Sequence, residues 1–188
     1  DLLANWKQAT PFDAPNRFVI NIQPDQLDPL RRFFSDAGRG QPLLQPMIRG
    51  RLVAVNGRAV GPDDYADDRA KRLVDRDFNL SFDARLPDGN SVVAGQWHGE
   101  ARTPQFSVEQ GLAETLGLAM GDVLSFEIAG NRSEARITSL RKLDWDSMRV
   151  NFFVIAAPGM LESYPATYIT SFYLPPAHMD FPTGRAPA

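Results

Sequence analysis

Two histidines, His98 and His178, several serines and four pairs of neighbouring carboxylates are the residues of this chain whose types could do chemistry. A zinc site needs His, Cys or carboxylate ligands at close, regular spacing. His98 and His178 stand 80 positions apart with no such partner near either, and the chain has no cysteine. Serine hydrolysis needs a nucleophile beside a histidine base and an oxyanion hole. No G-x-S-x-G elbow occurs; Ser107 suits a helix cap, while Ser147 and Ser171 fall in strand or loop contexts. The pairs Asp63/Asp64, Asp67/Asp68, Asp75/Asp77 and Asp144/Asp146 could share acid–base work if their surroundings moved the two pKa values apart. Most of them read as the solvated face of a charged helix. Asp144-Trp145-Asp146 reads as a turn that anchors an aromatic ring. Neither a phosphate-binding P-loop nor G-x-G-x-x-G is present, so nucleotide binding by those routes is excluded. The residues therefore nominate no catalytic, cofactor-binding or metal-ligating set. Asn79-Leu80-Ser81 and Asn131-Arg132-Ser133 fit the N-glycosylation pattern, which has meaning only in a host that modifies it.

At 188 residues the chain can build one sizeable core or two small ones. Its 43% hydrophobic and 23% charged content is that of a globular protein. A net charge of −3 argues against a nucleic-acid surface, and the lack of cysteine excludes a disulfide framework. No run of roughly 18 apolar residues is present that could span a membrane as a helix, and no signal peptide is recognisable. The chain opens at Asp1 rather than Met, which reads as a trimmed or processed product.

Arg17 to Ile22 alternates as a strand. Pro24 then suits the first turn of a helix with Leu27, Leu30, Phe33, Phe34 and Ala37 on one face and Gly38 at its end. Met47 to Val55 is a strand, and Asn56-Gly57 is a hairpin turn into Arg58 to Val60. Asp63 to Asp77 reads as a charged helix burying Tyr65, Ala66, Ala70, Leu73 and Val74. Strands are expected at 78–82 and 91–97. Ser107 to Leu116 reads as a helix with a Ser107/Gln110 capping box, closed by Gly117. Val123 to Ala129 alternates Leu124, Phe126 and Ile128 against polar positions, and Gly130-Asn131 turns into Ser133 to Lys142. Val150 to Ala156 and Ala166 to Leu174 complete the strands. In the former, Phe152 and Val154 should share one buried face and Phe153 and Ile155 the other, with Trp145 packed at its start. The residues from Pro175 to Ala188 read as a tail. Many short strands with a few helices predict an α+β fold with mainly antiparallel pairing.

Four stretches carry a resemblance: Ala14–Gln26 (APNRFVINIQPDQ), Pro46–Gly57 (PMIRGRLVAVNG), Asp67–Leu80 (DDRAKRLVDRDFNL) and Gly111–Pro176, with GLAETLGLAMGDVLSFEIAG and DWDSMRVNFFVI. In this order they resemble the extracytoplasmic domain of FtsX-like, MacB-type ABC transporter permeases. Within that group they are most similar to the permease linked to lysophospholipase L1 in Gram-negative bacteria. The resemblance implies a periplasmic domain of an inner-membrane protein, carried between transmembrane helices. Residues 1–60 and 166–188 would form a membrane-near, porter-like part of ferredoxin type, and residues 61–165 a β-rich distal insert. It further implies a non-catalytic role without cofactors, a cytoplasmic ATPase partner, and an envelope lipid, lipoprotein, hydrophobic molecule or periplasmic protein as what the domain handles. The alternative is a stand-alone soluble enzyme or small-molecule binder using a carboxylate site.

Overall fold

The structure, a computed structural model, describes residues 17–38, 40, 43–144 and 150–172. Ten strands and three α-helices make an α+β fold: β1 (Arg17–Ile22), α1 (Leu27–Asp36), β2 (Gln45–Val55), β3 (Arg58–Ala59), α2 (Asp68–Val74), β4 (Phe78–Phe82), β5 (Asn90–Gly95), β6 (Gln105–Glu109), α3 (Gln110–Leu116), β7 (Val123–Ile128), β8 (Asn131–Leu143), β9 (Val154–Ala156) and β10 (Thr167–Phe172). Two short 3₁₀ turns, at Pro24–Gln26 and Pro62–Asp64, begin at prolines whose missing N–H costs nothing in a first turn.

Six of these strands close on themselves. β2 pairs with β4, β4 with β9, β9 with β6, β6 with β8, β8 with β7, and β7 returns to β2. The β4/β9 and β6/β8 pairs are parallel and the other pairings of the molecule antiparallel. Closure leaves the ring without a free edge, which removes the row of unpaired amides that an open sheet exposes. β5 adds to β8 outside the ring, and β1 and β10 form a separate ribbon attached to the first residues of β2.

Alternation decides what fills the barrel. Leu124, Phe126 and Ile128 of β7 are all buried, as their spacing predicts. They meet Ile48 and Leu52 of β2, Leu80 of β4, Phe106 and Val108 of β6, Ile137 of β8 and Val154 of β9 in one core cluster. Phe126 stands edge-on to both Phe106 and Phe78, with ring centroids 5.3 and 6.2 Å apart. Helix α3 lies between β6 and β7 and buries Leu112 and Leu116; α2 contributes Ala70 and Val74. In α1, only Phe34 is buried, stacked edge-on against Phe172 of β10.

Several sequence expectations shift. The charged helix shrinks to Asp68–Val74, with Asp67 accepting from the Ala70 N–H as its cap, and Ala66 is exposed. Ser107 does not cap α3. It belongs to β6, where Phe106 and Val108 on either side are needed inside the barrel, and Glu109 caps the helix instead, accepting from the N–H groups of Gly111 and Leu112 at 2.8 and 2.6 Å. The second hairpin turn is Ala129-Gly130 rather than Gly130-Asn131, because Ile128 still pairs with Asn131; Ala129 takes φ 49 and Gly130 φ 82. Strand β9 starts only at Val154, so the alternation expected over 152–155 fails: Phe152 packs with Val150 and Ile155, and Phe153 is half-buried. β9 is nevertheless central, between β4 and β6. Trp145, Asp146, Ser147, His178 and the 175–188 tail lie outside the described residues.

Gly50, on the inward face of β2, shows how tightly the barrel is filled. A Cβ there would stand 2.7 Å from Leu80 Cδ1 and 3.1 Å from Ile128 Cγ1. Leu80 is wholly buried and has nowhere to retreat. Gly50→Ala should therefore lower stability by about 1–3 kcal/mol. Gly61→Ala, where a Cβ meets open space, should stay within about 0.5 kcal/mol of wild type. Urea unfolding of both variants checks this, and equal midpoints would show that the barrel has room to spare.

Candidate functional site

The carboxylates marked by sequence do local structural work. Asp64 accepts from the Gly61 N–H and Asp67 caps α2. Asp77 stands 3.8 Å from Arg51, and the Asp144 N–H bonds to Gly89 O. Among the described residues no two of them converge with a histidine, and no group of three or more His, Asp or Glu side chains gathers as a metal site would require. What the structure brings together lies elsewhere, at three places.

The first is a buried arginine. On β8 the alternate residues Ala135, Ile137, Ser139, Arg141 and Leu143 all face inward, so Arg141 enters the interior with a full charge. Its Nη2 donates to the carbonyl oxygens of Phe152 and Phe153, at 2.9 and 3.1 Å, and of Ser107, at 3.3 Å. Nε donates to Ser107 Oγ at 2.8 Å and Nη1 to Asn90 Oδ1 at 2.5 Å; Ser139 Oγ donates to Ser107 Oγ at 2.6 Å. Burial pushes the guanidinium down to about 10, and the nearby negative charge of Glu109 opposes that shift. Having no exposed surface, Arg141 does not meet a ligand. It supplies donors to the carbonyls of Phe152 and Phe153, which precede β9; the Phe153 carbonyl also accepts from the Glu109 N–H of β6 at 2.8 Å. The alternation along β8 was the sequence signal for its burial.

The second is the Trp97–His98 pair, whose rings stack with centroids 3.9 Å apart. Trp97 Nε1 donates to Ala84 O at 2.9 Å. His98 Nε2 lies 2.6 Å from Asp83 O, so this nitrogen carries the proton, since a carbonyl can only accept. That leaves Nδ1 buried with a bare lone pair and no hydrogen-bond partner. Burial lowers the pKa of His98, only partly offset by its bond to the Asp83 carbonyl and by the Asp83 charge, while Arg141 lowers it further.

The third is an open cleft of about 790 Å³ on the outside of the barrel. It arises where β2 changes partners. Thr167 of β10 pairs with Met47, and Glu127 of β7 pairs with Arg51, so the two neighbours part on either side of Arg49. Period-two alternation puts Met47, Arg49, Arg51 and Val53 on the cleft wall, with Pro165 and Ala166 facing them. Asn21 and Ala129, two of the three non-glycine residues with left-handed backbone, both line it. Arg51 has Asp77 at 3.8 Å and Glu127 opposite it on β7. Arg49 pairs across β2/β4 with neutral Asn79 and makes no ion pair among the described residues.

Two measurements test these assignments. Arg141→Met leaves the Phe152 carbonyl without its donor and removes one of two donors from the Phe153 carbonyl, and should cost about 1–3 kcal/mol in equilibrium unfolding; Arg141→Lys should recover only part, because an ammonium lacks the guanidinium fork. For His98 the folded pKa lies below the unfolded value of about 6.5, so below that pH the unfolded chain binds more protons than the folded one. Stability is then fully present above about pH 6.5 and is lost as pH falls through that value toward the folded pKa. Between about pH 7.5 and pH 5.5 the wild type should lose more melting temperature than His98→Gln; parallel slopes would show that His98 titrates freely.

No family model matches the chain. A crystallised domain assigned to a permease protein of Porphyromonas gingivalis aligns at a TM-score of 0.40 and 10% identity, over 70% of this chain and 56% of that one, a likeness too distant to establish a common fold. The uncharacterized ABC transporter permease YbbP of Escherichia coli K12 is 38% identical over 172 residues, which is 92% of this chain and 20% of that protein. Among the described residues no helix is long and apolar enough to cross a membrane. The chain is thus similar, along nearly its whole length, to one fifth of an ABC transporter permease.

Proposed function

We propose that this chain is a periplasmic, non-catalytic domain of an ABC transporter permease of the FtsX-like, MacB-type group. The observation that carries the reading is the 38% identity to a permease maintained over 92% of the chain. The geometry of the ends agrees with it. Arg17 and Phe172 are register partners in the β1/β10 ribbon, so the described chain enters and leaves side by side. A domain carried between two transmembrane helices is compatible with that arrangement. In this reading residues 1–60 and 166–188 form the membrane-near part and residues 61–165 the distal insert, whose strands β4 and β7 pair with β2 of the membrane-near part. A cytoplasmic ATPase hydrolyses ATP, the membrane part transmits the motion, and this domain engages an envelope lipid, a lipoprotein or a periplasmic partner.

The absence of cysteine from all 188 residues makes the topology directly testable. Arg58→Cys and Arg69→Cys, at exposed positions, introduced singly into the full-length protein, should react with a membrane-impermeant maleimide in cells whose outer membrane alone has been permeabilised. Labelling that appears only after the inner membrane is lysed would place the domain in the cytoplasm and overturn the reading.

A further inference from the structure

The cleft beside Arg49 has the composition of a site with two unlike ends. At its middle stands a guanidinium with no carboxylate of its own, while the other arginine on the wall is already held by Asp77 and faced by Glu127. The two carboxylates therefore sit at the Arg51 end, so the lining's two positive and two negative charges are separated along the cleft, with Arg49 toward the β10 end and in no ion pair among the described residues. There the remaining polar groups include neutral donors: the exposed Asn21 amide and the half-buried Thr167. Met47 and Ala166 supply apolar surface next to them. Arg49 can offer two parallel N–H groups to an oxyanion, a stronger and more directional contact than a neutral donor makes. An amide and a hydroxyl beside it suit a head with more than two oxygens. The volume of about 790 Å³ exceeds what a bare inorganic anion needs and falls in the range of small-molecule sites. Asn21, at the rim, holds a left-handed backbone conformation, while that of Ala129 belongs to the β7/β8 hairpin turn.

We propose that this cleft binds a phosphate-headed amphiphile, with the phosphate on Arg49, Asn21 and Thr167 and the apolar body along Met47 and Ala166. The assignment rests on the transporter reading for the biological source of such a ligand, and on the cleft alone for the site. Asp77 and Glu127 set the orientation by repelling the head from the Arg51 end.

The test is calorimetric titration of the 188-residue chain with hexyl phosphate, inorganic phosphate, heptanoate and hexyltrimethylammonium. Hexyl phosphate should bind at least tenfold more tightly than inorganic phosphate, because its chain reaches the apolar wall. It should also bind more tightly than heptanoate, and its binding should weaken as salt is raised. Arg49→Gln should weaken it about tenfold, and Arg69→Gln on α2 should leave it unchanged. Both substitutions are at exposed positions, so unaltered melting curves verify that any loss is not unfolding. Failure of hexyl phosphate to bind, equal binding of inorganic phosphate, heptanoate or the ammonium compound, or an Arg49→Gln variant that binds like wild type would each overturn the proposal. None of those results would alter the maleimide labelling pattern, so the site and the transporter reading fail separately.

Discussion

Strand β2 has to satisfy four neighbours along eleven residues, and the rest of the molecule is arranged around that demand. Its first residues pair with β10, its middle with β4 on one side, and its end with β7 and β3. Closing the barrel depends on the β2/β7 register, because β7 is the strand that carries the ring back to its start. Residues 48, 50, 52 and 54 must all face the interior, and the interior at residue 50 has no space for a side chain. The odd positions are thereby committed to the outside, which puts two arginines in a row on the cleft wall. The cleft is a by-product of the same constraint: one strand cannot keep two neighbours on the same edge without a gap where one leaves and the other arrives.

A second constraint comes from β9, which is only three residues long yet lies between two strands. Residues 150–153 lead into it without regular pairing. The Phe152 carbonyl takes its donor from Arg141, and a buried carbonyl left without one would cost about 1–3 kcal/mol. Arg141 offsets this with several donors from one side chain, and the charge it brings in is opposed by Glu109, which is also the cap of α3. Helix start, arginine clasp and strand β6 are thus one connected set. Their connection explains why Ser107, a good helix cap on local grounds, was taken for another purpose.

Much of the fold could be read from local pattern. Asn56-Gly57 gave the first hairpin, and its Asn56 side chain also bonds the Asp122–Val123 turn, a contact 66 positions away that no local rule contains. The alternation of Leu124, Phe126 and Ile128 placed β7 correctly because a half-buried strand writes its period into the sequence. Strand β6 was missed because Ser107 and Gln110 imitate a capping box, and pairing on both edges of β6 overrides that preference. Arg141 stood within the predicted strand from Ser133 to Lys142 with no role assigned to it. Its burial was encoded only in the longer row from Ala135 to Leu143. The cleft was not legible at all, since it depends on where two strands distant in sequence diverge. The similarity to a permease was visible in motifs spread through the chain, and the identity over 172 residues supports it.

The β1/β10 ribbon has a mechanical meaning. Its two strands are antiparallel, and the residues at which the described chain begins and ends, Arg17 and Phe172, face each other across it. A pull that separates those two points loads the hydrogen bonds one rung at a time, like a zipper, rather than all together in shear. The ribbon therefore yields at low force, and it yields before any tension reaches the barrel, whose strands form an unbroken ring. Under a load of that geometry the ribbon would open while the closed ring of strands kept its packing.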